Sequence, residues 1–315
     1  MITGGCGFIG GNFIRYNIDN YNKIFNVDIQ TYAATHNFLN TGKYCCIKKD
    51  INHITAEDLI GLDIDIILHM AAESHVDNSI IDPTPFLTTN INGTVNLLKC
   101  VAEVKNRIGK SIRFHHVSTD EVFGSLELTD DRRFDEQSIY SPNNPYSASK
   151  AASDHFVRAF GNTYGIEYTI SNCSNNYGPY QHSEKLIPTI IRNLIKESPI
   201  PIYGDGLNVR DWIYVKDHCR AIQMILNNGK IAETYCVGGN CEYTNKELCE
   251  KICQLYYNMT GYHYQIEYVK DRLGHDKRYA IDGTKILNTL GFEPSTTLHD
   301  GLTATLEHYL QRKDK

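Results

Sequence analysis

Nowhere in the 315 residues is there an apolar run long enough to cross a bilayer. The longest nearly uncharged stretch, Ile64 to Ala72, is interrupted by Asp65 and falls far short of the ~20 residues a spanning helix needs. An excess of basic charge is missing too. Against 37 Asp+Glu stand 31 Lys+Arg, so the net charge of -6 gives no field to draw in a phosphate polymer. No membrane and no nucleic acid is expected as a partner. The start, Met1-Ile2-Thr3-Gly4-Gly5, has no basic region followed by an apolar segment, and the expected location is the cytoplasm. Although there are 10 cysteines, no C-x-x-C occurs, Cys45 and Cys46 are adjacent, and Cys249 and Cys253 stand one helical turn apart. They read as reduced, mostly buried small hydrophobes. A zinc site from Cys236, Cys241, Cys249 and Cys253 fits no ligand spacing, and no metal is expected. H-E-x-x-H and G-x-S-x-G are both absent, which removes the common metalloprotease and serine-hydrolase signatures. Gly109-Lys110-Ser111 ends like a phosphate loop, but Val104 occupies the position of its first glycine.

What is present is an ordinary globular composition, 41% hydrophobic and 22% charged, over a length that suits about two lobes. The first two thirds alternate β-branched runs with helical patterns. The strands are expected at Lys23–Asp28, Tyr44–Asp50, Asp65–His69, Arg113–Ser118 and Tyr168–Cys173. Between them, Phe8–Asn20, Ala56–Leu62, Pro83–Arg107 and Ser147–Tyr164 read as helices. That is the pattern of an α/β fold with a doubly wound, Rossmann-type parallel sheet. After Asn175 the alternation loosens into helices near Lys185–Glu197, Lys246–Met259 and Thr297–Leu310, which suggests a smaller, less regular C-terminal lobe. Residues 1–178 would form the dinucleotide-binding lobe, with a segment near 205–240 returning to it, and residues 179–315 the substrate lobe, with the ligand in the cleft between.

The opening Thr3-Gly4-Gly5-Cys6-Gly7-Phe8-Ile9-Gly10 holds both Gly5-x-Gly7-x-x-Gly10 and Gly4-x-x-Gly7-x-x-Gly10. Glycines are needed where a Cβ would block a tight turn or the approach of a pyrophosphate to a helix N-terminus. The next expected strand ends in Asp28, placed to accept hydrogen bonds from an adenosine ribose. Ile29 and Gln30 follow, with no arginine for a 2′-phosphate, so NAD is expected over NADP. Only Met1 and Ile2 precede Thr3, so the first strand is very short and a longer natural start is expected.

Tyr146-Ser147-Ala148-Ser149-Lys150 places a phenol and an ammonium on one helix face. A neighbouring cation and a positive nicotinamide ring would favour the phenolate and make Tyr146 a general base. At the end of a sheet strand, Ser118-Thr119-Asp120-Glu121 sets two carboxylates beside a hydroxyl, which can divide acid and base work if their environments differ.

These motifs, with His69-Met70-Ala71-Ala72-Glu73-Ser74-His75-Val76-Asp77, Ser174-Asn175-Asn176-Tyr177-Gly178-Pro179, Glu184-Lys185-Leu186-Ile187-Pro188, Asn208-Val209-Arg210-Asp211-Trp212 and Asp271-Arg272-Leu273-Gly274-His275-Asp276, run over nearly the whole chain. Together they resemble the dTDP-glucose 4,6-dehydratase family of the extended short-chain dehydrogenase/reductase superfamily. Epimerases of that superfamily usually lack the charged Asp120-Glu121 pair. The resemblance implies oxidation of a nucleotide-bound glucose at carbon 4, loss of water across carbons 5 and 6, and hydride return to carbon 6. Tyr146 would be the first base, Lys150 its partner, Thr119 a donor to the ketone, Glu121 the base at carbon 5 and Asp120 the acid for the 6-hydroxyl. By the same resemblance NAD would meet Gly4, Gly7, Phe8, Ile9, Gly10, Asp28, Thr31, Asp50, Ile51, Ala71, Ala72, Thr89, Ser118, Tyr146, Lys150 and Asn176. The nucleotide sugar would meet Ser74, Thr119, Asn175, Lys185, Leu186, Pro201, Tyr203, Arg210, Asn245, Arg272 and His275. For Arg210 a structural pair with Asp211 is the competing reading. The chain departs from the family in Gln181-His182-Ser183-Glu184-Lys185 and at Leu273, both in the substrate lobe. Those departures bear on the base more than on the reaction, so UDP-glucose stands as the alternative to the favoured dTDP-glucose. An epimerase or decarboxylase on the same fold, or an NAD-binding protein without catalysis, are the other readings. A homodimer through Pro83–Arg107 and Ser147–Tyr164 is the family-based expectation.

Overall fold

The computed structural model describes residues 1–35 and 39–311. Its strands are β1 (Ile2–Thr3), β2 (Ile24–Asp28), β3 (Tyr44–Lys48), β4 (Ile66–His69), β5 (Arg113–Thr119), β6 (Tyr168–Cys173), β7 (Asn175–Tyr177), β8 (Ile200–Tyr203), β9 (Val209–Tyr214), β10 (Glu233–Val237), β11 (Glu242–Thr244) and β12 (Ile266–Val269). Seven of them form one parallel sheet in the order β10-β6-β5-β4-β1-β2-β3. The chain winds outward in both directions from β1, so a crevice opens above the carboxyl ends of β1 and β4, where open α/β sheets bind ligands. Between them β5 and β6 leave one residue less than fully buried, as parallel strands covered on both faces must.

The helices are α1 (Phe8–Asn17), α2 (Ala56–Gly61), α3 (Val76–Ile81), α4 (Thr84–Phe86), α5 (Thr94–Ile108), α6 (Pro145–Tyr164), α7 (Leu186–Ile195), α8 (Val215–Asn228), α9 (Asn245–Thr260), α10 (Thr284–Leu290) and α11 (Leu298–Gln311). On one face of the sheet α2 and α5 bury Leu59, Leu97, Leu98 and Val101 against Ile67 and Phe114. On the other, Phe13 and Ile14 of α1 pack with Val215, Cys219 and Ile222 of α8. The residues from Val215 to Val237 thus cover and extend the large sheet, although they follow β8 and β9 in the chain. A second core joins α7, α9 and α11 over β8, through Ile190, Ile191, Leu248, Ile252 and Leu302. It carries two small sheets, β11-β9-β7 and β12-β8.

Several boundaries differ from the sequence reading for local reasons. The third strand stops at Lys48 because the Asp50 carboxylate accepts the Asn52 N–H and starts a short turn. α1 ends at Asn17, and a 3-10 turn carries the chain to Asn20. The stretch expected as one helix from Pro83 is interrupted by a π-helical segment, Leu87–Gly93. There Asn90 turns inward, accepts the Glu73 N–H and donates to Glu73 O and Ser149 Oγ. Gly109 is the left-handed cap that ends α5, and Lys110 pairs with Asp63 and Asp65.

Candidate active site

β1 hands the chain straight into the glycine-rich turn. Gly4 has φ +72, and a Cβ there would lie 2.7 Å from Ala71 Cα; at Gly10 one would lie 2.6 Å from Gly4 O. Both glycines let strand, turn and helix close on one another. Gly7 caps α1 with no side chain and no acid follows in the first turn, so its leading N–H groups are left to an anion. Asp28, at the end of β2, is fastened to the same turn: its carboxylate accepts the Cys6 N–H at 2.9 Å and the Gln30 N–H at 2.7 Å.

A single cavity of about 670 Å³ runs along the carboxyl ends of the strands. Its wall brings together Gly4, Gly7, Phe8, Ile9, Gly10, Asp28, Thr31, Asp50, Ile51, Ala71, Ala72, Thr89, Ser118 and Asn176 with Ser74, Thr119, Asp120, Glu121, Tyr146, Lys150, Asn175 and Lys185. The residues fit NAD: a carboxylate faces the ribose position, an uncapped helix end the pyrophosphate, and the glycines leave the room a Cβ would fill. Thr88, Gln181 and His182 also line it and were not anticipated. Thr88 and Thr89 reach the wall from the π-helical segment, a backbone irregularity that hydrophobic periodicity does not reveal.

α6 positions the phenol and the ammonium. Asn144 caps it through the Ser147 N–H, Ser147 returns the bond, and Pro145 stands at its first turn. Tyr146 is buried edge-on against Phe86, with ring centroids 6.3 Å apart. Burial, then Glu121, pushes its hydroxyl well above the usual range, and the Thr119 hydroxyl pulls it back. Lys150, one turn on, donates to Val117 O at 2.9 Å and lies 3.3 Å from His116 Nε2. Its hydrogen bonds go to the strand behind it, while it lines the same cleft as Tyr146.

Thr119 ends β5 and its hydroxyl accepts the Glu121 N–H, tightening Asp120–Phe123 into a 3-10 turn that points both carboxylates at the cleft. Their environments differ. Asp120 is 1% exposed; burial, then Glu121 and Asp211, drives its carboxyl well above the ordinary range, and one carboxylate oxygen has no hydrogen-bond partner. Glu121 is raised by burial too, but Lys185 and Arg210 stand against that rise. Of the two, Asp120 is the better suited to hold a proton, and Glu121, with two cations beside it, to receive one.

Leu186, Pro201, Tyr203, Arg210, Asn245, Arg272 and His275 lie outside the main cavity wall. Tyr203, Arg272 and His275 form a neighbouring cluster: the Arg272 guanidinium sits 5.2 Å over the Tyr203 ring, and His275 lies edge-on to it at 6.5 Å. His275 Nδ1 pairs with Asp271 at 2.6 Å. Pro201 is on β8, Asn245 opens α9 with its N–H on Asn208 O, and Leu186 opens α7. Lys185 donates to Ser74 O at 2.7 Å, which ties the two sides of the cleft. Arg210 does not pair with Asp211, whose carboxylate accepts the Gly239 and Cys241 N–H groups instead. Arg210 donates to Val209 O and Asp276 O and lies 4.3 Å over Tyr279. Asp276 and Tyr279 were not anticipated as its supports. Cys249 and Cys253 sulfurs are 3.9 Å apart on one turn of α9, and among the described residues no group of three or more His, Cys, Asp or Glu is placed to hold a metal.

Known proteins resemble this chain over nearly its whole length. The sequence model of the family described as GDP-mannose 4,6 dehydratase matches residues 1–305. A dTDP-glucose 4,6-dehydratase of Haemophilus influenzae is 44% identical over 98% of this chain and 97% of its own length. One from Xanthomonas campestris is 45% identical over 98% and 92%. The crystal structure of a dTDP-glucose 4,6-dehydratase from Streptomyces venezuelae, solved with NAD bound, superposes with a TM-score of 0.91 at 40% identity, covering 99% of this chain and 97% of that one. Matched from end to end by both model and relatives, the chain belongs to the GDP-mannose 4,6-dehydratase family of nucleotide-sugar dehydratases, beside the dTDP-glucose 4,6-dehydratases.

Proposed function

We propose that the chain catalyses the NAD-dependent dehydration of dTDP-glucose to its 4-keto-6-deoxy product. The observation that carries this reading is the Asp120-Glu121 pair, two adjacent carboxylates in unlike environments across one cleft from Tyr146 and Lys150. An epimerase needs the phenol and the ammonium but has no step for that pair. The choice of dTDP over UDP rests on the named relatives above 40% identity, which are dTDP-glucose enzymes.

NAD, when bound, supplies the hydride acceptor and donor that make oxidation at carbon 4 and reduction at carbon 6 one closed cycle. The side chains handle the protons. Tyr146 takes the proton of the 4-hydroxyl, helped by the Lys150 charge, and the Thr119 hydroxyl donates to the ketone that results. That ketone acidifies the hydrogen on carbon 5, and Glu121 removes it. Asp120, held protonated by its burial, protonates the departing 6-hydroxyl so that it leaves as water. Glu121 then returns its proton to carbon 5. Lys185, Arg210 and Arg272 provide the positive charge a diphosphate needs, and Tyr203 offers a flat face to the base.

The same reading includes a cytoplasmic homodimer, with α5, α6 and the π-helical segment at the interface. Leu87, Phe156 and Tyr164 are large hydrophobic side chains left exposed there. No helix among the described residues is long and apolar enough to cross a membrane. The function is tested with dTDP-glucose and UDP-glucose side by side, reading the near-ultraviolet absorbance of a 4-keto sugar in alkali. Substrate deuterated at carbon 4 is expected to carry the label to carbon 6, and deuterated solvent to label carbon 5. Stoichiometric release of NADH would overturn the assignment.

A further inference from the structure

Behind Lys150 lies a buried polar cluster that the mechanism above does not use. His116 and Ser118 reach it from β5, Asp154 and Arg158 from α6, Asn172 from β6, and Tyr140 from the loop before α6. Asp154 is fully buried at its centre. One of its oxygens accepts from Ser118 Oγ at 2.9 Å, Tyr140 Oη at 2.8 Å and Asn172 Nδ2 at 3.2 Å. The other lies 3.2 Å from His116 Nε2 but takes no hydrogen bond. That same nitrogen is 3.3 Å from the Lys150 ammonium. One imidazole atom thus stands between a buried carboxylate and the cation that serves Tyr146, while His116 Nδ1 has no partner.

A carboxylate stripped of water is costly unless it is paired or richly hydrogen-bonded, and three neutral donors here converge on a single oxygen. That arrangement keeps the negative charge on Asp154, with Lys150 the nearby cation facing the cleft and Arg158 tied to the Tyr140 hydroxyl. Since one Nε2 cannot accept from Lys150 and donate to Asp154 at once, the ring separates the two charges without fixing them in a direct pair. Of the three ammonium hydrogens, one goes to Val117 O and one faces His116, so the third is left for the cleft wall on which Lys150 lies.

We propose that Asp154, spaced from Lys150 by the His116 ring, is a positioning residue whose buried charge keeps Lys150 charged and aimed at the reacting end of the cleft. The proposal rests on the reading of Lys150 as the cation beside the catalytic phenol. The electrostatics run the same way. Burial lowers Lys150 to about 8, and Asp154 is the first influence holding it up, with Cys173 behind it. Burial brings His116 down to about 4, so the ring is neutral at physiological pH. His69, its ring tilted against that of His116 with centroids 5.2 Å apart, is also pushed well down by burial and adds no charge. Asp154 itself sits below its usual range despite burial, through His116, Lys150 and Tyr140.

Because Lys150 must stay protonated, turnover falls as pH rises through its titration, and that alkaline limb reports on Asp154. Asp154→Asn keeps the shape and the acceptor oxygen but removes the charge. Its limb is expected about one pH unit lower than in the unaltered protein, a loss of about tenfold in kcat where the two profiles differ most, with KM for dTDP-glucose within about twofold. A uniform loss at every pH with the limb unmoved, or a change in thermal stability alone, overturns the proposal. If Asp154→Asn does not fold, Asp154→Ser, which also removes the charge, is expected to move the limb the same way. Asp154→Glu, which keeps the charge, is expected to leave the limb near its normal place. An unmoved limb in the first, or a limb as displaced in the second, overturns the proposal. Absence of dehydration by the unaltered protein would instead fault the function, so the two failures are distinct.

Discussion

Removing the Asp28 carboxylate tests two roles that the structure joins in one side chain. Its oxygens hold the Cys6 and Gln30 N–H groups at 2.9 and 2.7 Å, and it lies on the cavity wall where a ribose is expected. Asp28→Ala strands both backbone donors. Each costs about 1–3 kcal/mol where water cannot reach it. Asp28 is only 9% exposed, so a stability loss of about 2–4 kcal/mol is expected. Affinity for NAD is expected to fall separately, by the about 1–3 kcal/mol of ribose hydroxyls left without a charged acceptor, or about 5- to 150-fold in Kd. Calorimetric unfolding measures the first and NAD titration by calorimetry the second. Thermal stabilisation by saturating NAD should survive in the variant but require more cofactor. The reasoning is refuted if Kd stays within twofold while stability drops, because the carboxylate would then only fasten the turn.

Tyr146→Phe is expected to abolish oxidation at carbon 4 while NAD binding stays within about threefold, since the ring keeps its edge-on packing against Phe86; turnover near the normal rate would exclude Tyr146 as the base. Glu121→Gln is expected to stall after oxidation, with reduced cofactor visible by absorbance and exchange of the carbon 5 hydrogen with deuterated solvent lost. Asp120→Asn is expected to lose water elimination yet gain stability as pH rises. The Asp120 carboxyl holds its proton more tightly folded than unfolded, so its charge destabilises the fold progressively as pH climbs through its raised pKa. The gap in Tm between Asp120→Asn and the unaltered protein should therefore widen from pH 5 to pH 8; a gap that does not change would mean that Asp120 is already ionised.

The parts of the site that the sequence reveals are those whose spacing is itself the mechanism. Gly4, Gly7 and Gly10 mark a turn no other residue can make, and Tyr146 and Lys150 share a helix face by arithmetic alone. Less legible is anything set by long-range partners. For Arg210 a pair with Asp211 is only the competing reading in sequence; its position is fixed by Asp276 and Tyr279, and Asp211 is held by the backbone after β10. His115 and His116 lie in a strand buried on both faces, where histidines read as core; only the return of α6 and β6 shows that His116 meets Asp154 while His115 meets Thr169 and Ser171. α3 escapes because it is short and its cap is the ring of His75, which accepts the Asn78 N–H.

The late arrival of β10 beside β6 has a consequence for how the protein is made. β6 is buried along its whole length in the finished molecule, but its partner strand follows about 60 residues later in the chain. At about 5–20 residues per second of synthesis, that leaves about 3–12 s in which the edge of β6 has emerged and its own neighbour has not. A strand edge with open N–H and C=O groups is a template for pairing with the wrong chain. On a crowded ribosome, nascent copies of this protein would be most at risk of joining one another at that edge, and codon choice or chaperone contact between Cys173 and Val237 would govern the yield more than changes in the finished core.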